Sequence, residues 1–289
     1  MSDIREVSFP MSLPKEPWKR WLKVAVGAGL GLLMPWRVTR LRHGPVPDPL
    51  DFVDRQVITA LVMWHRSRGT LDELTAIHRA LWSGSQATRF HLQADDRFQR
   101  WWIEHNSAVL VPLAMRIDLL PGRVHTLCEI GCGMGSVLRH CAHRLPALRG
   151  FIGLDLSVEQ IGVTRHRHGD EPAMRFEAAD ANQWIPRYAE PGWAYLTQGG
   201  VLEYFNEAQL LALFRVINQR RPALFAIAEP IAHDFDLEHE LRSRPYGTEH
   251  SFSHNYPYLF EAAGWTVVWR QEQRFDGTRW LLLVCEVRT

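Results

Sequence analysis

Apolar and polar positions along the chain follow two regimes. From residue 126 onward, short apolar runs of strand length recur at Thr126–Ile130, Phe151–Asp155, Met174–Ala178, Trp193–Thr197, Ala223–Ala228, Thr266–Glu272 and Trp280–Val287. Segments with helical spacing lie between them, opened by Val137 and Leu138, by Ser157-x-x-Gln160, and over Glu207–Asn218. Strands that alternate with amphipathic helices predict an α/β fold with a largely parallel sheet. Before residue 120 the spacing is helical throughout. Phe52, Val53, Val57, Ile58, Leu61 and Val62 mark one helix, and Thr70-x-x-Glu73 starts another that carries Leu74, Ile77 and Leu81. Asp95–Leu119 reads as a third, interrupted near Pro112. Gly44–Pro49, with three prolines in six residues, reads as a linker. The chain therefore divides into an N-terminal segment and linker (1–49), a helical cap (50–120) and an α/β domain (121–289).

The α/β part is organised around Thr126–His140, a strand, a glycine turn and the start of a helix. Gly131, Gly133 and Gly135 alternate, which removes the Cβ atoms that would hold a ligand off the backbone and permits positive φ. Asp155 follows 20 residues after Gly135, at the end of the second strand, where a carboxylate can accept hydrogen bonds from both hydroxyls of a ribose. Together these features predict a nucleoside-containing cofactor.

The pattern Glu129-x-Gly131-x-Gly133-x-Gly135 resembles the first motif of class I S-adenosylmethionine-dependent methyltransferases of small-molecule type, and VLEYF (201–205) resembles their VLEH-type segment. The resemblance covers about residues 120–289. It implies a Rossmann-like sheet of seven strands with the last antiparallel, and S-adenosyl-L-methionine as cofactor. By position it carries the donor contacts to Glu129, Gly131, Gly133, Gly135, Asp155, Leu156, Asp180, Ala181 and Gln198, with Asp180 and Ala181 facing the adenine and Gln198 near the sulfonium. The Asn/Asp-Pro-Pro-Tyr motif of enzymes that methylate nucleobase amines is absent from the sequence, which weighs against nucleic acid. Two other readings stay open: a nicotinamide-dependent oxidoreductase, against which the glycine spacing counts, and a non-catalytic methyltransferase-like scaffold.

The expected chemistry is methyl transfer, most simply to an oxygen of a small-molecule, sugar or lipid-linked acceptor. Candidate catalytic groups are His254, His250 and Glu203. The segment Ile231–Tyr258 is rich in titratable residues, a histidine can take a proton near neutral pH, and SHNYPYLFEAAGW resembles the pre-helix segment of sugar-modifying bacterial methyltransferases. Glu203 faces the methyl site if the fold holds. His105, with Trp101 and Trp102, is a candidate to line the acceptor pocket. Asp234, Asp236, Glu238 and His239 show no metal-ligand spacing, so no metal is expected.

Charge modifies this picture at one end only. Lys and Arg total 33 against 32 Asp and Glu, yet residues 1–43 hold eight basic residues and three acids. Within them Val24–Trp36 is an uncharged run of 13 residues, roughly 20 Å as a helix against about 30 Å of hydrocarbon. It is too short to span a bilayer. Trp18, Trp21 and Trp36 flank it, which suits a helix lying at a membrane interface; the alternative is a helix packed on the domain through Gly27, Gly29 and Gly31. The four cysteines show no disulfide or zinc spacing, so a cytoplasmic location is expected, with the inner membrane face as a further option.

Overall fold

The computed structural model describes residues 16–43, 46 and 49–287. Residues 1–15 and most of the Gly44–Pro49 linker lie outside the described residues. The chain opens with α1 (Pro17–Leu33) and α2 (Pro35–His43). Pro35 separates them, because proline cannot donate to the preceding turn but is well placed as a first helical residue. The cap follows as α3 (Phe52–Arg68), α4 (Leu71–Trp82), α5 (Ser85–His105) and α6 (Leu110–Asp118). Asp51 caps α3 by accepting from the Asp54 N–H, and Gly69 ends it in the left-handed region. The Thr70 box does not form: its hydroxyl bonds His65 instead. The break in the third helical pattern also falls earlier than expected, at Asn106, and Pro112 sits in the first turn of α6, where its missing N–H costs nothing.

The α/β part runs β1 (Thr126–Ile130), α7 (Ser136–Arg144), β2 (Gly150–Asp155), α8 (Val158–Arg167), β3 (Met174–Ala178), α9 (Ala181–Tyr188), β4 (Trp193–Gln198), α10 (Glu207–Asn218) and β5 (Ala223–Ile231). A two-stranded ribbon, β6 (Arg244–Tyr246) with β7 (Ser251–Ser253), and α11 (Tyr256–Ala262) come next, then β8 (Thr266–Phe275) and β9 (Thr278–Val287). The seven-stranded sheet has the order β3-β2-β1-β4-β5-β9-β8. Strands β1 to β5 are parallel, whereas β9 runs antiparallel to both β5 and β8.

The order reverses between β1 and β4, so the carboxyl ends of these strands open a crevice, the usual ligand position in open α/β sheets. Strands β1, β4 and β5 are buried on both faces, as their unbroken apolar runs require. One core layer packs α9, α10 and α11 on the sheet around Tyr195, Phe225 and Phe260; the other packs α6 and α7 around Leu127, Leu138 and Trp102. A third cluster, with Leu74, Ile77 and Leu81, fills the cap, and Phe252 of β7 is buried in it. The segment Ile231–Tyr258 is therefore partly ordered as a ribbon locked to the cap.

Candidate functional site

The turn after β1 carries positive φ at Gly131, Gly133 and Gly135, at 74°, 49° and 72°. L-residues adopt this conformation at a cost, and two of the positions are also crowded. A Cβ on Gly131 would lie 2.5 Å from Val201, and one on Gly135 would lie 2.8 Å from Phe176. The turn N–H groups at Gly131 and Cys132 both bond the Leu154 carbonyl, at 2.8 and 2.9 Å. Asp155, at the end of β2, accepts from the N–H of Gly133 and of Ser157, both at 3.1 Å. One carboxylate thus ties the glycine turn to the start of α8.

Above this turn lies a cavity of about 490 Å³, a size suited to a small-molecule ligand. Gly131, Gly133, Asp155, Leu156, Asp180, Ala181, Gln198 and Glu203 all line it. Glu129 and Gly135 do not line it. Glu129 lies beneath, fully buried, accepting from Gln198 Nε2 at 3.0 Å while its other oxygen has no partner. Burial pushes the Glu129 carboxyl up to about 8. Asp180 does more than face a ligand. It caps α9 through the Asn182 N–H at 2.9 Å and pairs with Arg79 of α4.

The cap supplies a wall that the sequence did not reveal. His91, Asp95, Phe98 and Trp101 of α5 recur on one helical face and all line the cavity. The His91 ring covers Gly133, whose Cβ would lie 3.1 Å from Nδ1, and Phe98 covers Gly199, whose Cβ would lie 2.5 Å from the ring. Asp95 anchors α5 by accepting from the Ser136 hydroxyl at 2.8 Å and by pairing with Arg167. Of the three aromatic candidates on this helix only Trp101 lines the cavity. Trp102 is fully buried in the core, and His105 stacks on Phe275.

The rest of the cavity lining is aromatic and acidic. Trp101 contacts Trp280 and Phe275, while Trp82 packs edge-on against Phe90 and Tyr204. Glu203 and Tyr204 sit on a 3-10 turn (Leu202–Tyr204) held by Glu229 of β5, which accepts from the N–H of Val201 at 2.9 Å and of Leu202 at 3.1 Å. Glu203 Oε2 accepts from the Tyr246 and Ser251 hydroxyls at 2.7 and 2.6 Å. Its Oε1 lies against Gly200, where a Cβ would stand 2.4 Å away. Burial, then the neighbouring Glu249, push the Glu203 carboxyl up to about 8. Glu249 also lines the cavity, is raised by burial, and accepts from the Tyr204 hydroxyl at 2.7 Å.

The two histidines expected to act as bases are elsewhere. His254 is fully buried, outside the cavity lining, with Nδ1 at 2.7 Å from the Ser243 hydroxyl, and burial holds it neutral with a pKa lowered to about 3. His250 is buried where Arg66 donates to its Nδ1 at 2.6 Å; burial and that cation lower it to about 4. Neither is placed to take a proton from a molecule in the cavity. Their titratable character suggested chemistry, but their spacing gave no sign that His250 would turn to Arg66 of the cap and His254 to Ser243. Among the described residues, no group of three His, Cys, Asp or Glu side chains could hold a metal ion.

The donor half of the site fits a nucleoside cofactor. It presents a bare glycine backbone, the Asp155 carboxylate at the cavity wall and a buried, half-unpaired Glu129 below. The family comparison agrees. Residues 127–220 match a family described as "Methyltransferase domain". Trans-aconitate 2-methyltransferase of Streptomyces avermitilis is 33% identical over 86 residues, which are 29% of this chain; the chain spans only 32% of that relative's length. Among solved structures, 1,6-didemethyltoxoflavin-N1-methyltransferase of Burkholderia thailandensis aligns over 70% of this chain and 88% of its own at 16% identity, TM-score 0.49. Magnesium protoporphyrin IX methyltransferase of Synechocystis PCC 6803 aligns over 92% and 97% at 12% identity, TM-score 0.44.

Proposed function

We propose that this chain, a class I S-adenosylmethionine-dependent methyltransferase by its domain match and strand order, methylates an oxygen of a small-molecule acceptor held at the aromatic end of the cavity. S-adenosylmethionine supplies a methyl group already activated on a cationic sulfur. The protein's work is then to bind, align and remove a proton. Asp155 and Leu156 would hold the ribose side, Asp180 and Ala181 the adenine side, and the Gly131–Gly135 turn with Gln198, itself held by Glu129 beneath, the amino-acid end.

One observation carries the oxygen reading: Glu203 lies on the cavity wall beside the Gly199–Gly200 turn, with Oε2 fixed by two hydroxyl donors and Oε1 turned to Gly200. A carboxylate whose pKa is about 8 is a stronger base than an ordinary glutamate once ionised, and is partly ionised near neutral pH. In its ionised form it takes the acceptor hydroxyl proton as the new carbon–oxygen bond forms. Glu203, rather than His254 or His250, is the base in this reading, and Glu249 with Tyr204 orients the acceptor beside it.

The aromatic walls favour an acceptor with a flat or apolar body, including a sugar ring or the head of a lipid-linked intermediate. Membrane contact through residues 18–43 belongs to the same reading, since it would bring such an acceptor close. The test is incubation with labelled S-adenosylmethionine and cell extract, followed by identification of the labelled product. Label on an ether or ester oxygen supports the assignment, and label on nitrogen or carbon overturns it.

A further inference from the structure

The helix α1 is amphipathic in the wrong direction. Its packed side carries Arg20, Lys23, Val24, Leu30 and Gly31 around Gly27, which is buried against α3, where a Cβ would stand 2.0 Å from the Gln56 carbonyl oxygen. Its outward side is apolar. At 3.6 residues per turn Trp18, Trp21, Leu22, Val26, Leu32 and Leu33 fall in one arc of about 140°, with only alanine and glycine between them. Leu32 and Leu33 are 85% and 79% exposed, and Trp18 and Trp21 64% and 69%. No charged side chain falls within the arc. Ordinary surface helices bury such a stripe, and monomers rarely show an apolar patch beyond about 300–600 Å².

We propose that this face of α1 is a docking surface for the anionic phospholipid surface of a bilayer, on which the helix lies flat. Three observations select a lipid surface as occupant. The stripe is the convex flank of a single helix, which suits a fluid plane better than a shaped protein groove. Tryptophans stand at both ends, Trp18 and Trp21 at one and Trp36 of α2 at the other, where an interfacial helix meets headgroups. The segment is also basic, with eight Lys and Arg against three acids in residues 1–43; of the cations beside the end tryptophans, Lys19 is paired with Glu16, and Arg37 and Arg40 with Asp51 and Asp54. Among the described residues no helix is long and apolar enough to cross a membrane, so the helix lies on the surface.

This face deepens the membrane contact of the proposed function, and the vesicle test reads it out apart from methyl transfer. The full chain should co-sediment with vesicles of phosphatidylcholine and phosphatidylglycerol in equal parts. A variant carrying Trp21→Gln, Leu32→Gln and Leu33→Gln should lose at least about tenfold in partition coefficient, because it removes the apolar area that drives insertion. Its melting temperature and S-adenosylhomocysteine affinity should match the wild type, since none of the three side chains is packed. Wild-type protein that stays in the supernatant, or a variant that partitions equally, overturns the proposal. So does a lipid-free wild-type dimer that the variant dissolves, which would assign the face to a second copy of the chain.

Discussion

The reactivity assigned to Glu203 can be tested by moving its pKa in both directions. Burial favours the neutral carboxyl, and the adjacent Glu249 adds like-charge repulsion; the Tyr246 and Ser251 hydroxyls pull the other way by bonding the ionised form. The balance stands at about 8. If ionised Glu203 is the base, kcat/KM rises about tenfold per pH unit below that value and levels off above it. Tyr246→Phe removes a donor at 2.7 Å. A hydrogen bond to a charged group contributes about 1.5–3 kcal/mol, or about one to two pKa units, so the rising limb should move to higher pH by that amount. Glu249→Gln removes the repulsion and should move it to lower pH. Glu203→Gln should abolish the limb and lower turnover by about 10²–10⁴, with S-adenosylhomocysteine affinity kept. The assay is a pH–rate profile of label transfer for the wild type and the three variants. A wild-type profile flat across neutral pH, or shifts of the same sign in Tyr246→Phe and Glu249→Gln, would refute the reasoning.

Other sites yield sharper single outcomes. Asp155→Ala frees the Gly133 and Ser157 N–H groups and removes a ribose acceptor; calorimetry should show S-adenosylhomocysteine binding weakened by about 10–100-fold, consistent with the loss of one or two charge-assisted hydrogen bonds. His254→Ala empties a fully buried position, so the melt should report about 2–4 kcal/mol of lost stability, while turnover per folded molecule stays near wild type; a large fall in that turnover would restore His254 as base. Gly135→Ala forces a Cβ into φ +72° and within 2.8 Å of Phe176. It should cost about 1–2 kcal/mol from the backbone alone in a denaturant titration, and a neutral result would mean that the turn is freer than its geometry indicates.

Local signals made the sheet legible. β1 and β3 occupy the spans their apolar runs predict, and β2, β4, β5, β8 and β9 extend them by one to three residues at either end. β1, β4 and β5 are buried throughout, so every residue in them answers to one demand. The cap was less legible because its boundaries depend on tertiary partners. Thr70 could have capped α4, but the His65 ring offered its hydroxyl another bond at 2.7 Å. For α1 the sequence supported two exclusive readings, packed helix or membrane helix. The structure shows the packing, through Gly27, and leaves the apolar side outward.

The same division runs through the site. The donor half is built from one continuous unit, β1 to β4, in which spacing fixes geometry: Gly131, Gly133, Asp155, Asp180 and Gln198 reach one cavity because each ends a parallel strand or opens the helix after it. The acceptor half draws on α4, α5, the turn after β4, the ribbon and the β8–β9 hairpin. Apart from α4 and α5 these walls are far apart in the chain, so no spacing rule can join them all. Histidine is a frequent catalytic base, which made His250 and His254 the natural choices in the ribbon. Yet a ribbon side chain points either to the cavity or to the cap, and a one-residue change in register exchanges them. Ser251, which bonds Glu203, lies between His250 and Phe252, which point to the cap. Alternation along β7 therefore sends Ser251 to the cavity-side carboxylate and its neighbours away from it. Glu203 could be picked out because it lies five residues after the end of β4, beside the donor half. It is reached by the same strand-end logic that places Gln198.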